Sequence, residues 1–289
     1  MVEHRIHIPA VVGSNPTPAT LVFFPHTMQD RPIGIFDSGV GGLSVLLELK
    51  KLLPNETFIY VSDTAFYPYG KRSITELETR AKAISEFLIS KHAKLIVVAC
   101  NTASTSTIKL LRKTFNKPFI GVVPVVKYLS QVSVTRKTAV LATPVTTKSI
   151  YLDLLISEYG KDLTIYKEGS TGLENLVEEG DLTNPKITTI LKKHLIPLKK
   201  LGVDAIALGC THYPFLKEQM QSIVGPEVKI LDSGGAVARQ TKRVLEAENL
   251  LSLEKEGKDW YYTTGESLKF DIVVKALTGE TIKSEHTRI

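Results

Sequence analysis

The sequence predicts an α/β protein of two pseudo-symmetric, doubly wound domains with mainly parallel sheets and a functional cleft between them. Three observations predict this. Short runs rich in Ile, Val, Leu and Ala alternate with stretches of helical spacing along most of the 289 residues, as right-handed βαβ units require. The alternation runs through once and then begins again. Each pass holds one cysteine where an apolar run gives way to polar residues, Cys100 in LIVVACNTAS and Cys210 in AIALGCTHYP.

In the first pass IGIFD (33–37), TFIYVSD (57–63), KLIVVA (94–99) and PFIGVV (118–123) read as strands, with helices near 43–53, 75–91 and 105–115. In the second, TAVLAT (138–143), LTIYKE (163–168), DAIALG (204–209) and EVKILD (227–232) are strands, with helices near 146–159, 186–201 and 214–223. Most of these runs are apolar without a break, which suits strands covered on both faces. Asp37 to Cys100 spans 63 residues and Thr143 to Cys210 spans 67, a spacing that indicates duplication. In open α/β sheets ligands bind beyond the carboxyl ends of the strands. The two thiols are therefore predicted to approach one ligand from opposite sides of the cleft.

The flanks are less regular. Residues 1–30, with scattered prolines and a Gly-Ser-Asn segment, fit no element; they are expected to form a disordered or non-native N-terminal extension, with Met28 a candidate natural start. Beyond Ser233-Gly234-Gly235, AVARQTKRVLEAENLL has the spacing of an amphipathic helix and KDWYYTTGES that of an edge strand. The closing TGETIKSEHTRI is polar enough to be expected to fray.

Composition narrows the function classes. A chain that is 43% hydrophobic and 23% charged builds an ordinary globular core. The net charge of +6 comes from scattered lysines with no extended basic patch, which argues against nucleic acid as a partner. No apolar run approaches the roughly 20 residues of a membrane span. Two cysteines outside any CxxC pair suit the reducing cytoplasm.

Several residues can carry chemistry. Cys100 precedes the hydroxyl-rich start of a helix, whose dipole favours a thiolate, and Cys210 precedes Thr211, His212 and Pro214. A single free cysteine is usually a small buried hydrophobe, but two at matching strand ends ask for a shared role. Asp37-Ser38 runs into Gly39-Val40-Gly41-Gly42, a turn able to present amides to an anion. A dinucleotide fingerprint would want Gly or Ala where Ser44 stands, and Asp37 would repel a pyrophosphate; Asp63, at the end of the second strand, keeps that reading open. Tyr67-Pro68-Tyr69-Gly70 is a rigid aromatic loop suited to a ligand wall. A zinc site on Cys100, Cys210 and His212 has only three ligands and a cramped Cys-x-His spacing, so no metal is expected.

Taken together, IGIFDSGVGGLSV (33–45), SDTAFYPYG (62–70), VVACNTAS (97–104), ALGCTHYPFL (207–216) and ILDSG (230–234) resemble, in order, the signatures of the glutamate racemases of the aspartate/glutamate racemase family. The resemblance covers roughly 31–265, and WYYTTG (260–265) is similar to that family's usual ending. It implies a cofactor-independent, two-base interconversion of L- and D-glutamate that supplies D-glutamate for peptidoglycan. Cys100 would deprotonate D-glutamate and Cys210 L-glutamate, with Asp37 assisting the first thiol and His212 the second. Asp63 and Glu178 would be supporting acids, with the adjacent Glu179 an alternative to Glu178. Substrate contacts would fall to Ser38, Tyr69, Gly70, Asn101, Thr102 and Thr211 beside Asp37 and His212, and to Thr143 and Thr146. The implied domains are 31–123 plus 233–265, and 124–232, followed by a tail over 266–289, and the implied assembly is a homodimer. A racemase of aspartate and a non-catalytic ligand-binding module are the competing readings.

Overall fold

The computed structural model describes residues 27–255 and 257–289; the expectation for residues 1–26 lies outside them. The first pass builds β1 (Ile33–Asp37), α1 (Leu43–Leu52), β2 (Phe58–Ser62), α2 (Ile74–Ser90), β3 (Leu95–Val98), α3 (Asn101–Thr114) and β4 (Phe119–Gly121). The second follows α4 (Val126–Val132) with β5 (Lys137–Ala142), α5 (Pro144–Thr147), α6 (Ile150–Tyr159), β6 (Thr164–Gly169), α7 (Leu173–Glu178), α8 (Pro185–Lys200), β7 (Ala205–Gly209), α9 (Lys217–Val224) and β8 (Lys229–Leu231). The chain then returns through α10 (Gly234–Ala247), β9 (Trp260–Thr263), α11 (Ser267–Thr278) and β10 (Glu285–His286).

Two sheets result, of order β10-β9-β2-β1-β3-β4 and β6-β5-β7-β8, and every pairing in both is parallel. Within the larger sheet β2-β1-β3-β4 has the same order as the whole of the smaller one, so the duplication read from spacing is a duplication of topology. β1, β2, β3 and β7 are buried along their full length, as helices on both faces of a parallel sheet demand. α1 turns Leu43, Val45, Leu46 and Leu49 inward, and α2 starts on a capping box between Ser73 and Glu76.

Some expectations shift. The helix expected near 105–115 begins at Asn101, directly behind Cys100. The one expected near 146–159 is two, because Ser149 caps a fresh start by accepting the Leu152 N–H. α4 and α7 are too short to show a helical period in sequence. α11 buries Phe270, Val273 and Val274, and the segment 278–289 after it, expected to fray, is docked, β10 adding a parallel edge strand to β9. At the other end, Gln29 is held in place, its carbonyl accepting from the Ser252 hydroxyl at 2.6 Å and its amide donating to the Asn249 carbonyl at 3.2 Å. Among the described residues no helix is long and apolar enough to cross a membrane.

Candidate functional site

β1, β3, β5 and β7 end at the interface of the two halves, and the loops beyond them enclose a cavity of about 190 Å³. Cys100 stands one residue past the Ala99 that extends β3, and Cys210 follows β7 directly; both thiols line the cavity and both are buried. With them line Ser38, Tyr69, Gly70, Asn101, Thr102, Thr143, Thr211 and His212. Thr146 stands behind Thr143, their hydroxyls 3.2 Å apart.

The two thiols sit in unlike surroundings. Cys100 Sγ lies 3.9 Å from the Ser38 hydroxyl; burial, and then the negative charge of Asp37, push its thiol well above the ordinary range. Asp37 itself does not line the cavity. Its Oδ1 accepts the Ser38 N–H at 2.6 Å, and its Oδ2 accepts the Gly42 N–H at 2.5 Å and the Thr211 hydroxyl at 3.3 Å. Burial raises the Asp37 carboxyl above its usual value; the charge of His212 opposes the rise and that of Glu178 adds to it.

Cys210 Sγ lies 3.5 Å from His212 Nδ1, and His212 Nε2 lies 2.6 Å from Glu178 Oε1. Burial alone would lower the imidazole pKa, but Cys210 and Glu178 outweigh it and hold the ring cationic well above the usual histidine value. Glu178 also accepts the Val40 N–H at 2.7 Å, so one carboxylate joins the second half to the glycine turn of the first. Of the two adjacent glutamates, with Leu173, Leu176 and Val177 anchoring α7, Glu178 faces the imidazole and Glu179 is exposed. The glycine turn is needed for this approach. A Cβ at Gly39 would collide with the Glu178 carboxylate, and one at Gly41 would lie 2.5 Å from His212 Nδ1 and 2.7 Å from Thr211 Oγ1.

Asp63 is elsewhere. Completely buried, it faces Arg80, Tyr69 and Thr264 rather than the cavity. Tyr67 of the YPYG loop lines the cavity as well, and other lining residues carry no motif: Lys71, Val145, Thr171 and Glu174. Among the described residues, Lys71 from the first half and Glu174 from the second are the only charged groups of the lining besides His212, and Glu174 Oε2 is buried without a hydrogen-bond partner. Their one available signal is nearness to the YPYG loop and to Glu178. Among the described residues no cluster of three or more His, Cys, Asp or Glu side chains could hold a metal ion.

A duplicated α/β fold thus brings one thiol from each half to one small cavity. Residues 40–241 match the Asp/Glu/Hydantoin racemase family. The chain belongs to that family and is an isomerase of the racemase class. It is 41% identical to a glutamate racemase of Herpetosiphon aurantiacus over 84% of its own length and 96% of the relative's. A glutamate racemase crystal structure from Bacillus anthracis superposes with a TM-score of 0.83 at 30% identity, covering 92% of this chain and 99% of that one. One from Francisella tularensis, in complex with D-glutamate, gives 0.78 at 30% identity, covering 90% and 98%.

Proposed function

We propose that this racemase interconverts L- and D-glutamate without a cofactor, passing a proton between Cys100 and Cys210 through the substrate α-carbon. The observation that carries the reading is the placement of these two thiols, at topologically equivalent strand ends, on one cavity. From L-glutamate, Cys210 acts as the thiolate and removes the α-proton, its charge balanced by the adjacent His212 imidazolium that Glu178 steadies. Cys100, kept protonated by burial and by Asp37, returns a proton to the opposite face. D-glutamate reacts with the roles exchanged.

The cavity's other groups support this chemistry. Asn101, Thr102 and Thr211 hydroxyls and amides, at the N-terminus of the 14-residue α3 and beside Cys210, bind the α-carboxylate and stabilise charge developing on it. Ser38, Tyr69 and Gly70 complete the substrate wall, and the oppositely charged Lys71 and Glu174 suit a zwitterion. Reduced thiols fit a cytoplasmic enzyme, there supplying D-glutamate for peptidoglycan, and a homodimer is the assembly this reading takes.

The test is reaction of the purified protein with L-glutamate in D2O, with reductant and chelator and no added cofactor. Loss of optical rotation together with one α-deuterium in the product supports the reading. Inert glutamate with turnover of aspartate overturns the substrate, and inertness of both overturns the reaction.

A further inference from the structure

We propose that Arg80, clamped by the closing strand of the chain, is a positioning residue for the Tyr69-Gly70 wall of the substrate cavity, acting through Asp63. This rests on the reading of that cavity as the glutamate site. The Asp63 carboxylate has its hydrogen-bonding capacity filled by four donors: Oδ1 accepts from Arg80 Nη2 at 2.5 Å and the Thr264 hydroxyl at 2.9 Å, and Oδ2 from Arg80 Nε at 2.8 Å and the Tyr69 hydroxyl at 2.7 Å. A carboxylate so occupied, with no surface on the cavity, has no lone pair left for a substrate and no route for a proton. Its work is mechanical. The bidentate fork of Arg80 fixes its plane, and the Tyr69 hydroxyl is tied to it while the Tyr69 ring and Gly70 line the cavity.

Arg80 is itself held from outside. Its Nη1 donates to the Ile289 carbonyl, and its guanidinium stands 5.6 Å from the centre of the Phe66 ring, which meets Tyr69 edge-on. Ile289 is brought there by β10, by the Thr287 N–H bonded to the Thr263 carbonyl at 2.9 Å and by His286 Nδ1 at 2.8 Å from the Gly265 carbonyl. A continuous line of contacts therefore runs from the last strand through Arg80, Asp63 and Tyr69 to the cavity.

The experiment uses the full chain with Arg80→Lys, Tyr69→Phe and the double variant, assayed with both enantiomers. Arg80→Lys keeps the charge and loses the fork. The expected result is a KM for glutamate raised about tenfold, kcat within about threefold of the parent and an unmoved pH profile. The double variant is expected to be no worse than the poorer single one, because both break one line. A second readout needs no substrate: amide hydrogen exchange over residues 66–72 rises in Arg80→Lys. Unchanged KM and unchanged exchange, or strictly additive effects, overturn the proposal, as does a shifted pH profile, which would make Asp63 a proton-transfer group. Should the parent protein leave glutamate untouched, the functional reading fails, and the exchange measurement alone decides the role of Arg80.

Discussion

Glu178 Oε1 lies 2.6 Å from His212 Nε2 and 2.7 Å from the Val40 amide, so the carboxylate that helps Cys210 hold the imidazole cationic also joins the two halves of the molecule. Glu178→Gln keeps the shape and removes the charge. The His212 pKa is raised above its ordinary 6.5 in the folded protein; its protonation therefore contributes stability that is fully present below pH 6.5 and is lost as pH rises through the folded value. In Glu178→Gln the folded value is lower, so the contribution below pH 6.5 is smaller and its loss is complete at lower pH. Melting temperatures recorded from pH 6 to pH 10 check this, and kcat is expected to fall about tenfold to a hundredfold. Superimposable melting curves would contradict it.

Cys100→Ser and Cys210→Ser replace buried thiols by groups of similar size, so both variants are expected to fold. Racemisation falls by at least about a thousandfold in each. The surviving thiol still works on its own face. Cys100→Ser exchanges the α-proton of L-glutamate without inverting it and Cys210→Ser that of D-glutamate, which proton NMR in D2O detects directly.

The glycine turn separates crowding from chain flexibility. Gly41→Ala pushes a methyl toward His212 Nδ1 and is expected to cut kcat about a hundredfold. Gly70→Ala, where the nearest heavy atom to an added Cβ is Val145 Cγ2 at 3.9 Å, keeps the parent's rate within about threefold. The two rates, measured side by side, make the comparison; equal losses would refute it.

Away from the site, Lys94 and Glu56 form an ion pair at 2.6 Å with both side chains out of solvent, and Ser252 bonds to both. Lys94→Met strands a buried carboxylate and is expected to cost about 3–5 kcal/mol. Adding Glu56→Leu recovers most of that loss, as denaturant titration of the single and double variants will report.

Much of this arrangement is legible in the sequence. A parallel strand covered on both faces leaves an uninterrupted apolar run, so β1, β2, β3 and β7 announce themselves, and the polar break after each run marks Cys100, Cys210 and Asp37 as residues at strand ends. Asp63 is also legible as a strand-end acid, but its direction is not: Arg80 stands 17 positions away on α2 and Thr264 201 positions away, and no local pattern records such pairings. Glu174 escapes because α7 has six residues, less than two turns and too few to establish a period. β10 escapes because a two-residue polar edge strand has no hydrophobic signature; the pairing with β9 defines it.

The repeated strand order, β2-β1-β3-β4 and β6-β5-β7-β8, bears on the stereochemical task itself. A body of L-amino acids has no mirror plane, yet a racemase must serve two mirror-image molecules. Approximate two-fold repetition is the nearest substitute, since it sets one thiol from each half on a single cavity. The copies have diverged, with Asp37 beside one thiol and the His212–Glu178 pair beside the other. Because enantiomers are equal in free energy in water, the ratio of kcat/KM in the two directions must be one at every pH. The divergence can show itself only in kcat and KM taken singly, as different waiting states for the left-handed and the right-handed ligand.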